Sequence, residues 1–183
     1  MNIEYSELGL QGAYELHSKK NSDHRGWFVR LFCQNDLLSI NKGKNIMQIN
    51  SSFSKRKGTI RGLHFQKEPF QEDKVARCIQ GEVFDVIVDV RPDSKTFGQW
   101  KSIILSSEKM NALYIPKGFA HGFQTLTNNC QILYLHTEVH SHKSEMGFHY
   151  ASPELKIKWP LNPTDLSERD LKLEPFKLNK NDL

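Results

Sequence analysis

The sequence predicts a mainly β protein, a sandwich or barrel with a few short helices at its edge. Short runs rich in Val, Ile, Phe and Tyr recur along the chain. Clusters of Gly, Pro, Asn, Asp and Ser separate them, and helical periodicity is thin. The 183 residues favour one domain over 1–183, long enough to bury a core.

The expected strands are, in order, Gly26–Cys33, Ile46–Ser54, Gly58–Phe65, Val75–Gln80, Glu82–Val90, Gly98–Leu105, Asn111–Ile115, Gly122–Leu126 and Ile132–Thr137. Sharp turns are read at Arg91-Pro92-Asp93-Ser94, Pro116-Lys117-Gly118 and Asn128-Asn129. Gln34–Asn41 reads as a short helix. Ser167–Leu173 reads as another, with Ser167 as N-cap and Asp170 as the acidic residue of a capping pattern. In Glu82–Val90, Asp85 and Asp89 interrupt an apolar run and need partners or solvent. The tail from Asn162 is expected to wrap the outside.

Composition excludes several function classes. The formal charge is +4, from 25 basic and 21 acidic residues. That admits anionic small molecules, and no basic block reads as a nucleic-acid arm. No apolar run reaches the ~18 residues of a membrane span, so no membrane association is expected. The N-terminus lacks a basic segment followed by an apolar one. Cys33, Cys78 and Cys130 are odd in number and form no CxxC pair, which reads as reduced, buried thiols. These readings make the cytoplasm the expected location.

Gly58–Lys74 carries the chemistry. His64 stands between Arg61 and Lys74, and Gly58 and Gly62 punctuate the segment. A base, two cations and a pliable backbone are the parts needed to hold an anion and remove a proton from it. In Pro116–His121, a Pro-x-Gly turn aims His121 towards the mouth of a small barrel, a spacing that resembles the second motif of the cupin jelly rolls. Metal-binding cupins carry two histidines and a glutamate in their first motif. Here that place reads His64-Phe65-Gln66, so the barrel is expected to hold no metal. His136, His140 and His142 have a spacing that suits ligands, but they read more simply as a solvated strand end. Asp170 is a candidate to orient His64. For Tyr134 the residues alone leave core packing and function both open.

These segments, with Asp23–Phe28, Gln48–Ser52, Asp89-Val90-Arg91, Gly98-Gln99-Trp100, Trp159-Pro160 and Leu166–Asp170, resemble the dTDP-4-dehydrorhamnose 3,5-epimerase family. The resemblance spans about residues 23 to 170. It implies a cupin-like jelly roll that epimerises C3 and/or C5 of a nucleotide-diphosphate-linked 4-keto-6-deoxy sugar, with no cofactor. In that reading His64 is the base and Asp170 its carboxylate partner. Lys74 is the cation near the enolate oxygen, and Tyr134 the acid that returns a proton from the opposite face. Substrate contacts are expected from Arg25, Phe28, Arg30, Gln48, Asn50, Arg61, His121, His140, Glu145 and Arg169. Arg25 and Arg61 match diphosphate contacts, whereas Gln48 and Asn50 lie near the nucleotide. The resemblance also implies a homodimer in which an N-terminal segment crosses to the partner.

Three positions depart from the family pattern. Arg30 replaces a glutamate, His140 replaces a second tyrosine, and Ser152-Pro153 replaces Asp-Pro. They leave open the nucleotide (dTDP, CDP or GDP), a hexose or heptose, and the number of centres inverted. Two other readings use the same barrel: a 3,4-ketoisomerase, and a sugar-nucleotide-binding protein without turnover.

Overall fold

The computed structural model describes residues 3–178. In chain order the elements are β1 (Ile3–Glu7), β2 (Tyr14–Ser18), β3 (Lys20–Asp23), β4 (Gly26–Val29), α1 (Gln34–Asn41), β5 (Gln48–Ser54), β6 (Ile60–Gln66) and β7 (Lys74–Gln80). There follow β8 (Glu82–Asp89), β9 (Trp100–Ser106), β10 (Asn111–Ile115), β11 (Phe119–Thr125), β12 (Cys130–His136), β13 (Glu145–Gly147) and α2 (Glu168–Leu171).

The strands make a mainly β, cupin-like jelly roll. One sheet has the order β1-β2-β10-β7-β12-β5 and the other β13-β6-β11-β8-β9, with β3 and β4 forming a separate hairpin. All of these named strand pairs are antiparallel. The two sheets face each other. Ala76, Cys78, Leu113, Ile115 and Ile132 of the first pack against Val83, Ile87, Leu105, Phe119 and Phe123 of the second.

Strand alternation sorts the side chains. On β7, Ala76 and Cys78 point inward while Val75 points to the outer face, where α1 covers it through Leu37. The outer face of the second sheet carries Leu63, Phe65, Val86 and Val88. Phe148, Leu155 and Phe176 of the C-terminal segment cover them. Both sheets are therefore buried on two sides, and the space between them is free to carry polar groups at one end.

Several expectations need correction. The expected strand Gly26–Cys33 stops at Val29, because its only partner is the four-residue β3. β11 begins at Phe119, three residues before the expected start. Gly118 ends the turn with φ +80° and accepts from the Val90 amide at 3.0 Å, so pairing resumes at once and His121 lies within the strand. The tail does not simply wrap the outside. Asp170 and Phe176 are buried, and Asp165 bridges Thr59. α2 is shorter than expected. Ser167 caps it by accepting from the Asp170 amide at 3.0 Å, but the Asp170 carboxylate turns away to β6. β1, β2, β3 and β13 were not expected. Cys33 is half-buried, while Cys78 and Cys130 are buried and free.

The two interrupting aspartates of β8 do have partners. Asp85 meets His121, and Asp89 accepts from Arg91 at 2.6 and 2.8 Å, Ser94 at 2.5 Å and Thr96 at 2.6 Å. Burial pushes the Asp89 carboxyl up, but Arg91, Ser94 and Thr96 together hold it below the ordinary value. This stabilisation is fully present above the unfolded value of about 3.9 and fades as pH falls through the lower folded value. Asp89→Asn is expected to cost about 3 kcal/mol at pH 7, because it breaks a buried pair. Urea denaturation at pH 7 and pH 3 checks this, with the gap to wild type narrowing in acid. An unchanged gap would show that the charge is not the cause.

Candidate functional site

A cavity of about 970 Å³ lies between the sheets, lined from both of them and from the 165–170 segment. The alternation that builds the core places most of its polar groups, while on β6 the register irregularity beside Gly62 lets Arg61 and His64, three residues apart, both reach the cavity. From the second sheet come Arg61 and His64 of β6 and His121 of β11. From the first come Lys74 of β7, Tyr134 and His136 of β12, and Asn50 and Ser52 of β5.

His64 and His121 sit opposite each other in the β6–β11 register. That register depends on glycine. Gly62 has φ +105°, and a Cβ there would stand 2.5 Å from the His121 carbonyl oxygen and 2.7 Å from the Gly122 Cα. Gly122 answers it, since a Cβ there would meet the Arg61 carbonyl at 2.7 Å. The register shifts between His121 and Phe123 where the two glycines meet.

His64 Nε2 lies 2.6 Å from Asp170 Oδ1. A carboxylate accepts, so Nε2 is the donor and the neutral ring keeps its basic lone pair on Nδ1. Asp170 is 3% exposed, and its other oxygen accepts from the Gly62 amide at 3.3 Å. Burial pushes the Asp170 carboxyl up. The His64 hydrogen bond and charge, with Gly62 and Ser167, outweigh it and hold the group below the ordinary range. Asp170 is therefore an anion at neutral pH, fixed to orient the imidazole.

His121 is a different kind of histidine. It is 6% exposed, and its Nε2 lies 2.9 and 3.0 Å from the two oxygens of the fully buried Asp85. Its ring meets Tyr134 edge-on at 6.2 Å. The Tyr134 hydroxyl is 3.1 Å from Ser52 Oγ. Burial, only partly offset by Ser52, pushes the phenol well above its ordinary value. It stays a protonated donor at any working pH.

Lys74 and its surroundings hold two residues that the sequence did not single out for this role. The Lys74 ammonium is 3.5 Å from Glu72 Oε1, and His136 Nδ1 is 2.7 Å from Glu72 Oε2. His136 is opposite Lys74 in the β12–β7 register. Its Nε2 is buried with no hydrogen-bond partner among the described residues. Burial raises the Glu72 carboxyl, but His136 and Lys74 bring it below the ordinary value, so Glu72 is the anion that anchors both. The available signal was the two-residue spacing of Glu72 and Lys74, which puts both side chains on one face of an extended segment.

Of the residues expected from sequence, His64, Lys74, Tyr134, Asp170, Asn50, Arg61, His121 and Arg169 line this cavity. Arg61 is held by Ser54 Oγ at 3.0 Å and the Phe53 carbonyl at 3.0 Å. Gln48, His140 and Glu145 do not line it but are tied to its neighbours. Gln48 accepts from the His140 amide at 3.1 Å, and Glu145 holds Arg169 at 2.7 Å. Arg25, Phe28 and Arg30 do not line the cavity of their own chain. Arg25 is exposed on the β3–β4 hairpin and pairs with Asp23, Phe28 is 67% exposed, and Arg30 pairs with Asp36 of α1 at 3.2 Å. The three histidines read as one cluster are divided. His136 belongs to the cavity, and His140 and His142 lie together outside its lining.

The arrangement supplies a carboxylate-oriented imidazole on one wall, a protonated phenol on the facing wall and an ammonium on the phenol's side. Comparison with known proteins identifies the family. A family model described as dTDP-4-dehydrorhamnose 3,5-epimerase matches residues 7–177. A dTDP-4-dehydrorhamnose 3,5-epimerase of Salmonella typhimurium is 41% identical over 157 residues, 85% of each chain. The crystal structure of a Bacillus anthracis dTDP-4-dehydrorhamnose 3,5-epimerase with TDP and PPi bound superposes with a TM-score of 0.92 at 37% identity, covering 95% of this chain and 99% of that one. A Legionella pneumophila dTDP-6-deoxy-D-glucose-3,5-epimerase in complex with dTDP-4-keto-L-rhamnose gives 0.93 at 34% identity, covering 99% and 96%.

The glycine contact between β6 and β11 is open to direct test. Gly62→Ala forces the strands apart and is expected to cost roughly 2–3 kcal/mol. Urea denaturation gives the loss, and loss of the His64–Asp170 proximity in the folded fraction follows from the NMR shifts of the His64 ring. A variant as stable as wild type, with the same shifts, would remove the argument for glycine here.

Proposed function

This chain belongs to the dTDP-4-dehydrorhamnose 3,5-epimerase family, and we propose that it epimerises a nucleotide-diphosphate-linked 4-keto-6-deoxy sugar at C3, C5 or both. The observation that carries the reading is the placement of the His64–Asp170 pair and Tyr134 on facing sheets of one cavity.

A ketone at C4 acidifies the hydrogens on C3 and C5. His64 Nδ1 takes one of them, and Asp170 steadies the imidazolium that forms. The electron pair moves to the C4 oxygen, where the Lys74 ammonium stabilises the enolate. The Tyr134 hydroxyl then gives its proton to the same carbon from the other wall. Removal from one face and return to the other inverts the centre. The proton gained by His64 and the one lost by Tyr134 are reset by exchange with solvent. No redox step is involved, so no oxidising or reducing cofactor is needed. Glu72, held by His136, keeps the Lys74 ammonium in place for the enolate oxygen. Arg61 and Arg169 supply cationic donors that suit the diphosphate, and Asn50 lies on the same wall as Tyr134.

The hairpin residues fit a dimer. Trp27 and Phe28 on β4 and Met47, Ile49 and Phe53 on or beside the edge strand β5 are large apolar groups more than half exposed. A second copy that received the hairpin would cover them and bring Arg25, Phe28 and Arg30 to its cavity. The same residues would then contact the nucleotide of the partner's substrate.

The test is turnover of dTDP-, CDP- and GDP-linked 4-keto sugars in deuterated water, read by mass and NMR. Wild type is expected to give a C3- or C5-deuterated product with inverted configuration and the carbonyl still at C4. His64→Ala loses the exchange. Tyr134→Phe keeps deuterium exchange but gives little inverted product, because the base alone can return a deuteron only to the face it came from. Glu72→Gln lowers kcat by about tenfold with a smaller change in KM. A carbonyl found at C3 would identify an isomerase instead. Undiminished exchange in His64→Ala would remove His64 as the base.

A further inference from the structure

Beside the cavity, the chain leaving β12 folds back to β13 and brings together three side chains that the proposed reaction does not need as a group. His140 Nε2 is 3.3 Å from Glu145 Oε2. The rings of His140 and His142 are nearly perpendicular, with centroids 4.6 Å apart. One ligating atom from each of His140, His142 and Glu145 lies within 4.8 Å of the other two. We propose that His140, His142 and Glu145 form a binding site for a divalent cation of the zinc class at the rim of the cavity.

The geometry admits a metal once the His142 ring turns towards the other two ligands. Two ligands on one tetrahedral zinc, with bonds of about 2.0–2.1 Å, stand roughly 3.3–3.4 Å apart, which is the separation of His140 and Glu145. Two imidazoles and a carboxylate are a donor set that zinc accepts. His142 has no hydrogen-bond partner among the described residues, so its ring is free to turn. Glu145 already uses its other oxygen, Oε1, to hold Arg169 at 2.7 Å, which fixes the carboxylate as an outer partner does in a metal site.

The backbone between the ligands is also fixed. The His140 amide donates to Gln48 at 3.1 Å, the Ser141 amide to Gln66 at 2.6 Å, and the Lys67 amide to the Ser144 carbonyl at 2.8 Å. The loop is thereby pinned to β5 and β6, and little ordering remains to oppose binding. The sequence spacing groups His136 with these histidines. The fold sends His136 to Glu72 and puts Glu145 in its place. Three protein ligands leave at least one position for water or a ligand. An ion there would tie β13 to the loop and steady Arg169 next to Asp170.

Calorimetric titration of the purified chain with Zn²⁺, after treatment with chelator, is expected to show one equivalent bound. Co²⁺ in its place is expected to give the visible absorption of a low-symmetry nitrogen and oxygen site. His142→Ala lies outside the cavity lining and should leave epimerase turnover unchanged while weakening Zn²⁺ binding at least about tenfold. Glu145→Gln should weaken it as well, and a thermal melt confirms that each variant is folded. No stoichiometric binding by wild type, or equal binding by wild type and His142→Ala, would overturn the proposal. Neither result bears on the epimerase reading, which does not use His142.

Discussion

The pairing of Asp170 with His64 is the contact on which the site depends. Asp170 is 3% exposed, and a charge at that depth is costly unless it is paired and hydrogen-bonded. Its carboxylate meets that condition only where the His64 imidazole and the Gly62 amide come together. These belong to β6, some hundred residues earlier in the chain. The C-terminal segment can deliver Asp170 there because Phe148, Leu155 and Phe176 pack on the outer face of the same sheet. Apolar burial thus brings the segment in, and the charge pairing sets its register. Loss of either would undo the other, since an unpaired Asp170 would expel the segment that Phe176 holds.

The same accounting applies across the interior. Lys74, His121, Tyr134 and Asp85 replace apolar side chains on inward-facing positions at one end of the barrel, and each has a defined partner. Asp85 takes His121, Ser52 takes Tyr134, and Glu72 takes both Lys74 and His136. Arg77 shows the same rule on the outer face. It is fully buried, and among the described residues it has no carboxylate partner and its Nε is unpaired. It donates to the Met110 carbonyl, to Ser18 at 3.0 Å and to the Leu31 carbonyl at 3.1 Å. Desolvation brings its guanidinium down to about 10, which still leaves it charged at neutral pH. By binding Leu31 and Ser18 it fixes both ends of the segment that carries the exposed β3–β4 hairpin. The hairpin is therefore a rigidly rooted projection, and its tip carries the residues that do not reach their own chain's cavity.

What was legible in the sequence follows from where the physical signal is local. β8, β10, β12 and α1 have buried apolar faces, and their patterns located them to within about two residues. His64 and His121 stood out because glycines and a Pro-x-Gly turn flank them. β1 and β3 did not stand out, since IEYSE and KNSD are mostly exposed and polar and pair only at the margin of the fold. Asp170 stood in the sequence only as one candidate to orient His64 and took that role from the family resemblance, because no short-range pattern can report a contact across 106 residues. The capping pattern even argued for a different use of its carboxylate. Glu72 was hidden for a related reason: its partner His136 reads in sequence as part of a histidine group that the fold divides. Long-range pairing of charges decides such positions, and that pairing exists only once the sheets have formed.

The division of the site into an interior and a rim bears on how much the departures from the family pattern matter. The pair on one wall, the phenol and the ammonium on the other are all present and all satisfied by partners within the barrel. Arg30 and His140 stand elsewhere. Arg30 is bound to Asp36 at the base of the hairpin, and His140 to Glu145 beside Arg169. Neither touches His64, Lys74, Tyr134 or Asp170. A change of residue at the rim alters what the substrate's outer parts meet, while the groups that would act on the carbon next to the ketone keep their geometry. A charge reversal such as glutamate to Arg30 is tolerated there because solvent and Asp36 screen it. The same reversal in place of Asp85 or Asp170 would leave a buried cation facing a histidine with nothing to offset it. Electrostatics thus leaves room for a change of charge at the hairpin and the rim, whereas in the buried interior the same change is costly.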